Sequence, residues 1–336
     1  MYIFSLYLLI FKGVQFDKME GDFIKLPVNF QPLITSFEPE AFVFGFLTAI
    51  DNSQLPFLLS RYISIFACDA QDGGAVMSFN NNYEDYYFWQ CGKLSLAPVH
   101  IPNYAVYPGL MPKLAQAELD DGRYILGLWN EEFIKGTANY NVKYQTANYM
   151  LYGYDEQFFY SLGIRKGNLG SFAIPYSEFE EASFVKETGM NMFWGGTLAD
   201  RELGFDIGNV KKELLEFAEG KRLNNDGCAF GYKSIEYLAE DIIRRGSLGK
   251  GCNTLVLKCV WEYARLMRMR VEYMVKEGLT VYEHAKLASQ IERAASELLS
   301  NASGKINNSL IEGIMRVAGE TRALALKLLD SLESVN

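Results

Sequence analysis

The run Tyr124-Ile125-Leu126-Gly127-Leu128-Trp129, followed after a polar excursion by Asn148-Tyr149-Met150-Leu151-Tyr152-Gly153-Tyr154-Asp155, is the most strand-like part of this sequence. Tyr124 to Trp129 and Tyr149 to Tyr152 are short, apolar and aromatic-rich, and turn-forming residues close both. Asp120-Asp121-Gly122 makes a sharp entry into the first, and Asn130 to Thr146, with Gly136 and several asparagines, separates the two. A third strand, Phe158 to Ile164, and a fourth near Phe172-Ala173-Ile174 follow at once. Strands joined by short turns with no crossover helix pair antiparallel, so this half is α+β around an antiparallel sheet.

Outward from these strands the pattern changes in both directions. Pro112 to Leu119 reads as a helix feeding the first strand. Earlier, residues 22–120 are aromatic and proline-punctuated. Ser36-Phe37-Glu38-Pro39 opens a buried helix over Glu40 to Ile50, since proline is favoured in the first helical turn. Gln54 to Phe66 reads as a second, similar helix. Gly73-Gly74 and Asn80 to Asp85 mark a loop with no strand-to-helix phosphate motif. On the other side, Pro175 to Ala182 opens a helix with a serine cap and acidic residues in its first turn. Beyond Asp206, residues 208–222, 232–245, 252–277, 281–300 and 304–333 read as amphipathic helices broken at Gly/Asn-containing stretches. Leu257, Val260, Ala264, Met267, Val271 and Met274 form one apolar stripe, as do Leu310, Ile314, Val317, Thr321, Leu324, Leu328 and Leu332. Short connections make these helices an antiparallel bundle. The expected organisation is an N-terminal extension over 1–20, an α+β domain over 21–200 and a helical bundle over 206–336, with a boundary near 190–206.

The chain has 336 residues and a net charge of −9, which argues against a nucleic-acid surface because phosphate contact needs concentrated Lys and Arg. Cys68, Cys91, Cys228, Cys252 and Cys259 form no CxxC pair and no Cys/His cluster. Reduced thiols in a cytoplasmic protein are the expectation, with no metal site and no cofactor. The apolar run Met1 to Phe11 is too short to span a bilayer and lacks the basic start and cleavage site of a secretory signal. It reads as an over-long start preceding Met19, so that residues 1–18 lie outside the native protein, or as an added strand.

An α+β half ending in a Gly-Tyr-Asp hairpin, followed by a helical half, resembles the butirosin biosynthesis protein H family, whose members are papain-like, related to the C39 peptidases, and carry a helical C-terminal region. The similar stretches are Leu119 to Leu126 with Trp129, Tyr149 to Asp155, Ile174 to Phe184, and Tyr263-Ala264-Arg265-Leu266-Met267. The resemblance implies acyl transfer or amide formation in secondary-metabolite assembly, such as nonribosomal peptide pathways, with a carrier-protein thioester as donor. It further implies a nucleophilic cysteine at the start of the N-terminal buried helix and a histidine base on a later strand. This sequence departs from the pattern at both places. Glu40-Ala41-Phe42-Val43-Phe44-Gly45 has no cysteine, which puts the nucleophile position near Ala41. Ala147-Asn148-Tyr149 has no histidine, which puts the base position at Ala147 or Asn148.

The remaining candidates for a cleft are Asn148, Tyr149, Tyr152, Asp155, Trp129, His100, Cys68 and Cys91. His100, in Pro98-Val99-His100-Ile101-Pro102, reads as a loop residue and the better of the two histidines, though a structural role is the commoner one. His284 sits on the apolar face of a bundle helix and reads as packed. Cys68 and Cys91 read first as inert thiols, Cys252 and Cys259 as a poor metal pair, and Asp155-Glu156 as a solvated turn. The aromatic runs Tyr83 to Trp89 and Tyr140 to Tyr154 line a small-molecule cleft or pack a core. Arg265, Arg268 and Arg270 are candidates for steering an acidic carrier protein, against the plainer reading of a solvated helix face. The functional expectation is a degenerate papain-like pseudoenzyme that binds a carrier protein, an intermediate or a catalytic relative. The alternative is an acyltransferase that positions a thioester donor without the triad, and a third reading is a homo-oligomeric assembly subunit.

Overall fold

A computed structural model describes residues 24–49, 54–69, 74–79, 97–102, 109–165, 168–183, 190–196, 204–223, 228–302 and 306–334. The N-terminal apolar run, Cys91 and the aromatic run from Tyr83 to Trp89 lie outside them. The fold is α+β, built on an antiparallel sheet.

The main sheet has the order β4 (Ala97–Pro102), β9 (Met190–Gly196), β5 (Tyr124–Asn130), β6 (Thr146–Tyr154), β7 (Phe158–Arg165), β8 (Asn168–Pro175). A short β1 (Ile24–Lys25) joins the end of β6. Side chains alternate between its two faces, as strand geometry requires. Ile125, Trp129, Tyr149, Leu151 and Phe159 enter one core, with Met111, Leu114 and Leu119 of α3 (Leu110–Asp120) and Phe179 of α4 (Tyr176–Ala182). Tyr124, Met150, Tyr152 and Leu162 enter the other, with Phe42, Phe44 and Phe46 of α1 (Glu38–Leu47).

The hairpin motif that carries the resemblance serves as a fastening. A Cβ on Gly153 would lie 2.3 Å from the Ile24 carbonyl oxygen, so glycine lets β1 approach the strand. The Asp155 carboxylate accepts from the Gln157 and Phe158 amides, both at 2.8 Å, and from the Tyr160 hydroxyl at 2.5 Å. Those bonds, Tyr160 foremost, hold its pKa below the usual carboxylate value. Tyr154 donates to Asp120, just before Gly122, whose φ of 76° turns the end of α3 into β5.

A second sheet, which the sequence pattern did not announce, has the order β10 (Lys221–Leu223), β11 (Cys228–Phe230), β2 (Ile65–Asp69), β3 (Ala75–Phe79). The helix read over Gln54 to Phe66 is instead a single short turn, α2 (Leu55–Leu59), followed by β2. It stops because Tyr62 takes a left-handed φ of 54°, a conformation no helix continues through. His100, read as a loop residue, lies in the edge strand β4, paired with Met192 of β9.

Helices α5 (Ile207–Glu219), α6 (Tyr232–Ser247), α7 (Thr254–Lys276), α8 (Tyr282–Asn301) and α9 (Asn308–Glu333) follow, with β10 and β11 between α5 and α6. Asp206, Asn253 and Asn307 cap α5, α7 and α9 by accepting from Asn209, Leu255 and Leu310 amides at 2.9–3.1 Å. The residues of both apolar stripes are buried. β11 pairs with β2, and one apolar core includes residues from Phe42 through Met274 to Leu332. Among the described residues, no helix is long and apolar enough to cross a membrane.

Candidate functional site

The first turn of α1 is the centre of an unusual group of carboxylates. Its approach, Thr35-Ser36, is gripped by Glu262 of α7, which accepts from the Thr35 amide (2.8 Å), Thr35 Oγ1 (2.7 Å), the Ser36 amide (3.0 Å) and Ser36 Oγ (2.5 Å). Phe37 is the extended residue before the helix, and Pro39 lies within its first turn between Glu38 and Glu40. Acidic residues suit this end, where the helix presents its unpaired amides.

Glu38 points to the main sheet. Its Oε2 accepts from Asn148 on β6, from the amide at 3.4 Å and from Nδ2 at 3.3 Å. Burial lifts its pKa to about 7, against the lowering by the Asn148 bonds, and the nearby Glu131 carboxylate raises it further. Glu131 itself accepts from the Tyr149 hydroxyl (2.8 Å) and from Asn139 Nδ2 (2.6 Å). A half-buried Arg165 stacks on Phe172 at 3.4 Å, close enough for its charge to act on Tyr149 and Glu131. Carboxylates from two elements thus converge near the start of β6.

Glu40 turns the other way, into the core. Ser78 Oγ lies 3.4 Å from its Oε1, and Oε2 has no partner among the described residues. Burial pushes its pKa up to about 7, with the carboxylates of Glu262 and Glu38 adding to the rise. A folded-state value above the ordinary 4.5 means the fold prefers the protonated acid. Stability is therefore full below about pH 4.5 and is lost as pH rises through about 7. Glu40→Gln is expected to stabilise the protein at pH 8 by about 3 kcal/mol and to change little at pH 4.5. Urea unfolding at the two pH values measures this, and equal gains at both would contradict it.

Of the positions singled out in the sequence, the structure brings Asn148 to the start of α1. Ala41 is fully buried one turn step further in, and it is Glu38 that bonds Asn148. Ala147 faces the opposite core, with Trp129 and Tyr149, whose rings stack at 5.5 Å. Tyr152 faces the α1 side but bonds Ser171 at 2.5 Å and packs edge-on against Phe30. Asp155 is seven residues beyond Asn148, about 23 Å along an extended strand, and belongs to the hairpin turn. β4, which carries His100, is separated from β6 by β9 and β5, roughly 14 Å at ordinary strand spacing. Among the candidates whose side chains are described, Asn148 and Tyr152 lie on the α1 side of the sheet, Trp129 and Tyr149 on the other, and Asp155 in the hairpin turn.

Of the described cysteines, Cys68, Cys228 and Cys252 lie away from this group, whereas Cys259 is buried against Ser36 and the Glu262 and Glu40 carboxylates beside α1. Cys68 lies on β2, Cys228 on β11, Cys252 just before α7 and Cys259 within it, and all four are thiols. Burial raises the pKa of Cys68 to about 11 and those of Cys252 and Cys259 as well, which keeps these thiols protonated near neutrality. No group of three or more His, Cys, Asp or Glu among the described residues is arranged to hold a metal ion. His284 is half-buried with Nδ1 2.7 Å from Thr280 Oγ1, and burial lowers its pKa.

The arginine trio needs correction. Arg270 is fully buried and cannot meet a carrier protein: its guanidinium donates to the carbonyls of Leu59 (2.5 Å), Arg61 (2.9 Å) and Tyr62 (3.3 Å). Arg268 is engaged by both oxygens of Glu272, at 2.7 and 2.6 Å, and by Glu292. Arg265 lies partly exposed over the Trp261 ring at 5.7 Å. Sequence reasoning passed over Glu38, Glu40, Glu131 and Glu262. One signal was available for the last, a lone carboxylate beside Val260, Tyr263 and Leu266 in the most apolar turns of its helix.

No protein-family model matches the chain, and no curated protein matches it. A carboxylate near neutrality beside a carboxamide can accept or donate a proton and hold a polar ligand, and it offers no thiol for covalent chemistry.

Proposed function

We propose that this chain is a papain-like, butirosin H-like protein that has exchanged its thiol–imidazole pair for the Glu38–Asn148 pair and binds a carrier-held acyl or peptidyl intermediate without attacking it. The observation that carries this reading is the meeting of Glu38, three residues before the nucleophile position expected near Ala41, with Asn148 on β6, one of the two positions expected for the base. The rise that burial causes in the pKa of Cys68, Cys252 and Cys259 supports it.

The test is incubation with a panel of acyl thioesters, free and on a phosphopantetheinylated carrier protein, followed by intact-mass spectrometry and a binding isotherm. Saturable binding of the loaded carrier with no gain in protein mass is expected. A mass gain lost in Cys68→Ala or Cys91→Ala would replace this reading with covalent acyl transfer.

The near-neutral titration of Glu38 favours one second reading, direct transfer of the acyl group to an amine with Glu38 as general base. Turnover would then rise with pH through about 7, and Glu38→Gln would flatten that rise.

A further inference from the structure

Cys68 and Cys228 are directly opposite each other on β2 and β11. The alternation of the antiparallel ladder fixes the kind of pair they make. Gly231 N–H donates to the Ile65 carbonyl at 2.7 Å, so 231 with 65 is a hydrogen-bonded pair, and 229 with 67 follows two residues along. Cys68 with Cys228 is therefore a non-hydrogen-bonded pair, the type whose Cα atoms approach to about 4.5 Å and whose side chains lie nearest together. That separation falls inside the range of about 4.4–6.8 Å that a disulfide spans without backbone movement. The two thiols already meet as hydrogen-bonding partners, and both side chains are partly exposed, so a small reagent can reach them.

We propose that Cys68 and Cys228 form a redox-sensitive dithiol that closes to a cross-strand disulfide by exchange with a low-molecular-weight disulfide such as oxidised glutathione. One cysteine, as thiolate, attacks a sulfur of glutathione disulfide and releases one glutathione thiolate, forming a mixed disulfide. The other cysteine attacks the protein sulfur of that mixed disulfide and releases the second glutathione. The two protons leave with the two glutathione thiols, the protein dithiol is oxidised by two electrons, and glutathione disulfide is reduced by the same two.

The position of the bond gives it consequence. β2 belongs to the first half of the chain, whereas β11 lies between α5 and α6, and α6 begins within a few residues of Cys228. Closure would tie these two parts covalently through the second sheet and restrict the unfolded chain over a long loop. Burial and the neighbouring Cys228 keep the Cys68 thiol protonated near neutrality, with a pKa of about 11, so the exchange is slow at pH 7 and quickens as thiolate forms.

The experiment takes the full chain, reduced and then held with oxidised glutathione. The expected product is lighter by about 2 Da, yields a non-reducing proteolytic peptide joining Cys68 to Cys228, and melts about 5 °C higher until dithiothreitol is added. Its rate of formation rises about tenfold per pH unit between 7 and 9. Cys68→Ser and Cys228→Ser abolish the product, whereas Cys252→Ser leaves it. Stable glutathione adducts on either cysteine with no joined peptide, or a joined peptide involving Cys91 or Cys252, overturn the proposal. The peptide map of the unsubstituted protein decides the matter even where a serine variant does not fold.

Discussion

Arg270→Met is expected to destabilise the protein by about 4 kcal/mol, measured as a fall in the urea midpoint at unchanged slope. Arg270 is fully buried, and its guanidinium fork closes the end of α2 by satisfying the carbonyls of Leu59, Arg61 and Tyr62. The same loop is also held by Glu213 of α5, which accepts from the amides of Ile63 (3.0 Å) and Ser64 (3.3 Å) and from Asn209 Nδ2 (2.7 Å). Burial lowers the Arg270 pKa to about 10, which leaves it charged at neutrality, and that charge in turn counters the rise that burial causes at Glu213.

Methionine fills the volume but donates nothing. It therefore strands three carbonyls and removes the charge that acts on Glu213, and removing one partner from such a group costs more than removing both. Adding Glu213→Gln to Arg270→Met should consequently lose less than the two single changes together, and a double-mutant cycle measures the difference. Arg265→Ala, at a partly exposed site, should stay within about 0.5 kcal/mol of the parent. A loss under about 1 kcal/mol for Arg270→Met would refute this account of the loop.

The contrast between Arg265 and Arg270 shows where the sequence was legible and where it was not. Five residues of helix turn through about 140° beyond a full circle, so the three arginines never shared a face, and Arg270 stands one turn from Met267 on the buried stripe. Apolar periodicity placed α7 and α9 because each packs on neighbours along one continuous stripe, a property written in spacing alone. The hairpins of β5 to β8 were legible for a similar reason, since consecutive strands pair through local turns. The second sheet was not. Ile65-Phe66-Ala67-Cys68-Asp69 continues the apolar run of α2, and its partner Lys221-Arg222-Leu223-bearing ribbon comes from far along the chain with no alternation of its own. Pairing of that range is decided by tertiary packing. The Glu38–Asn148 contact belongs to the same class: Pro39 marked the helix start, but nothing local said that its first residue would meet β6.

Glu262→Ala is expected to remove about 3 kcal/mol of stability and, more tellingly, to loosen the start of α1 while the rest of the fold persists. The carboxylate accepts four hydrogen bonds from Thr35 and Ser36, and alanine leaves two amides and two hydroxyls to find partners in a largely apolar surrounding. Hydrogen exchange should therefore accelerate at residues 35–41 and not at the centre of α7, where the helix keeps its own backbone bonds. Because Thr35 and Ser36 lead directly into Glu38, release of this grip should let the Glu38 carboxyl rehydrate, and its pKa should fall from about 7 toward 4.5 as the burial that raised it is relieved. Glu262→Gln should produce a smaller version of both effects, since the amide oxygen still accepts while its NH2 opposes donors. Binding of the loaded carrier would weaken in the alanine variant under the reading proposed above, through a residue that has no exposed surface to offer a ligand. If exchange at residues 35–41 and the titration of Glu38 are both unchanged in Glu262→Ala, then α1 is positioned by its core phenylalanines alone and α7 has no hold on the site.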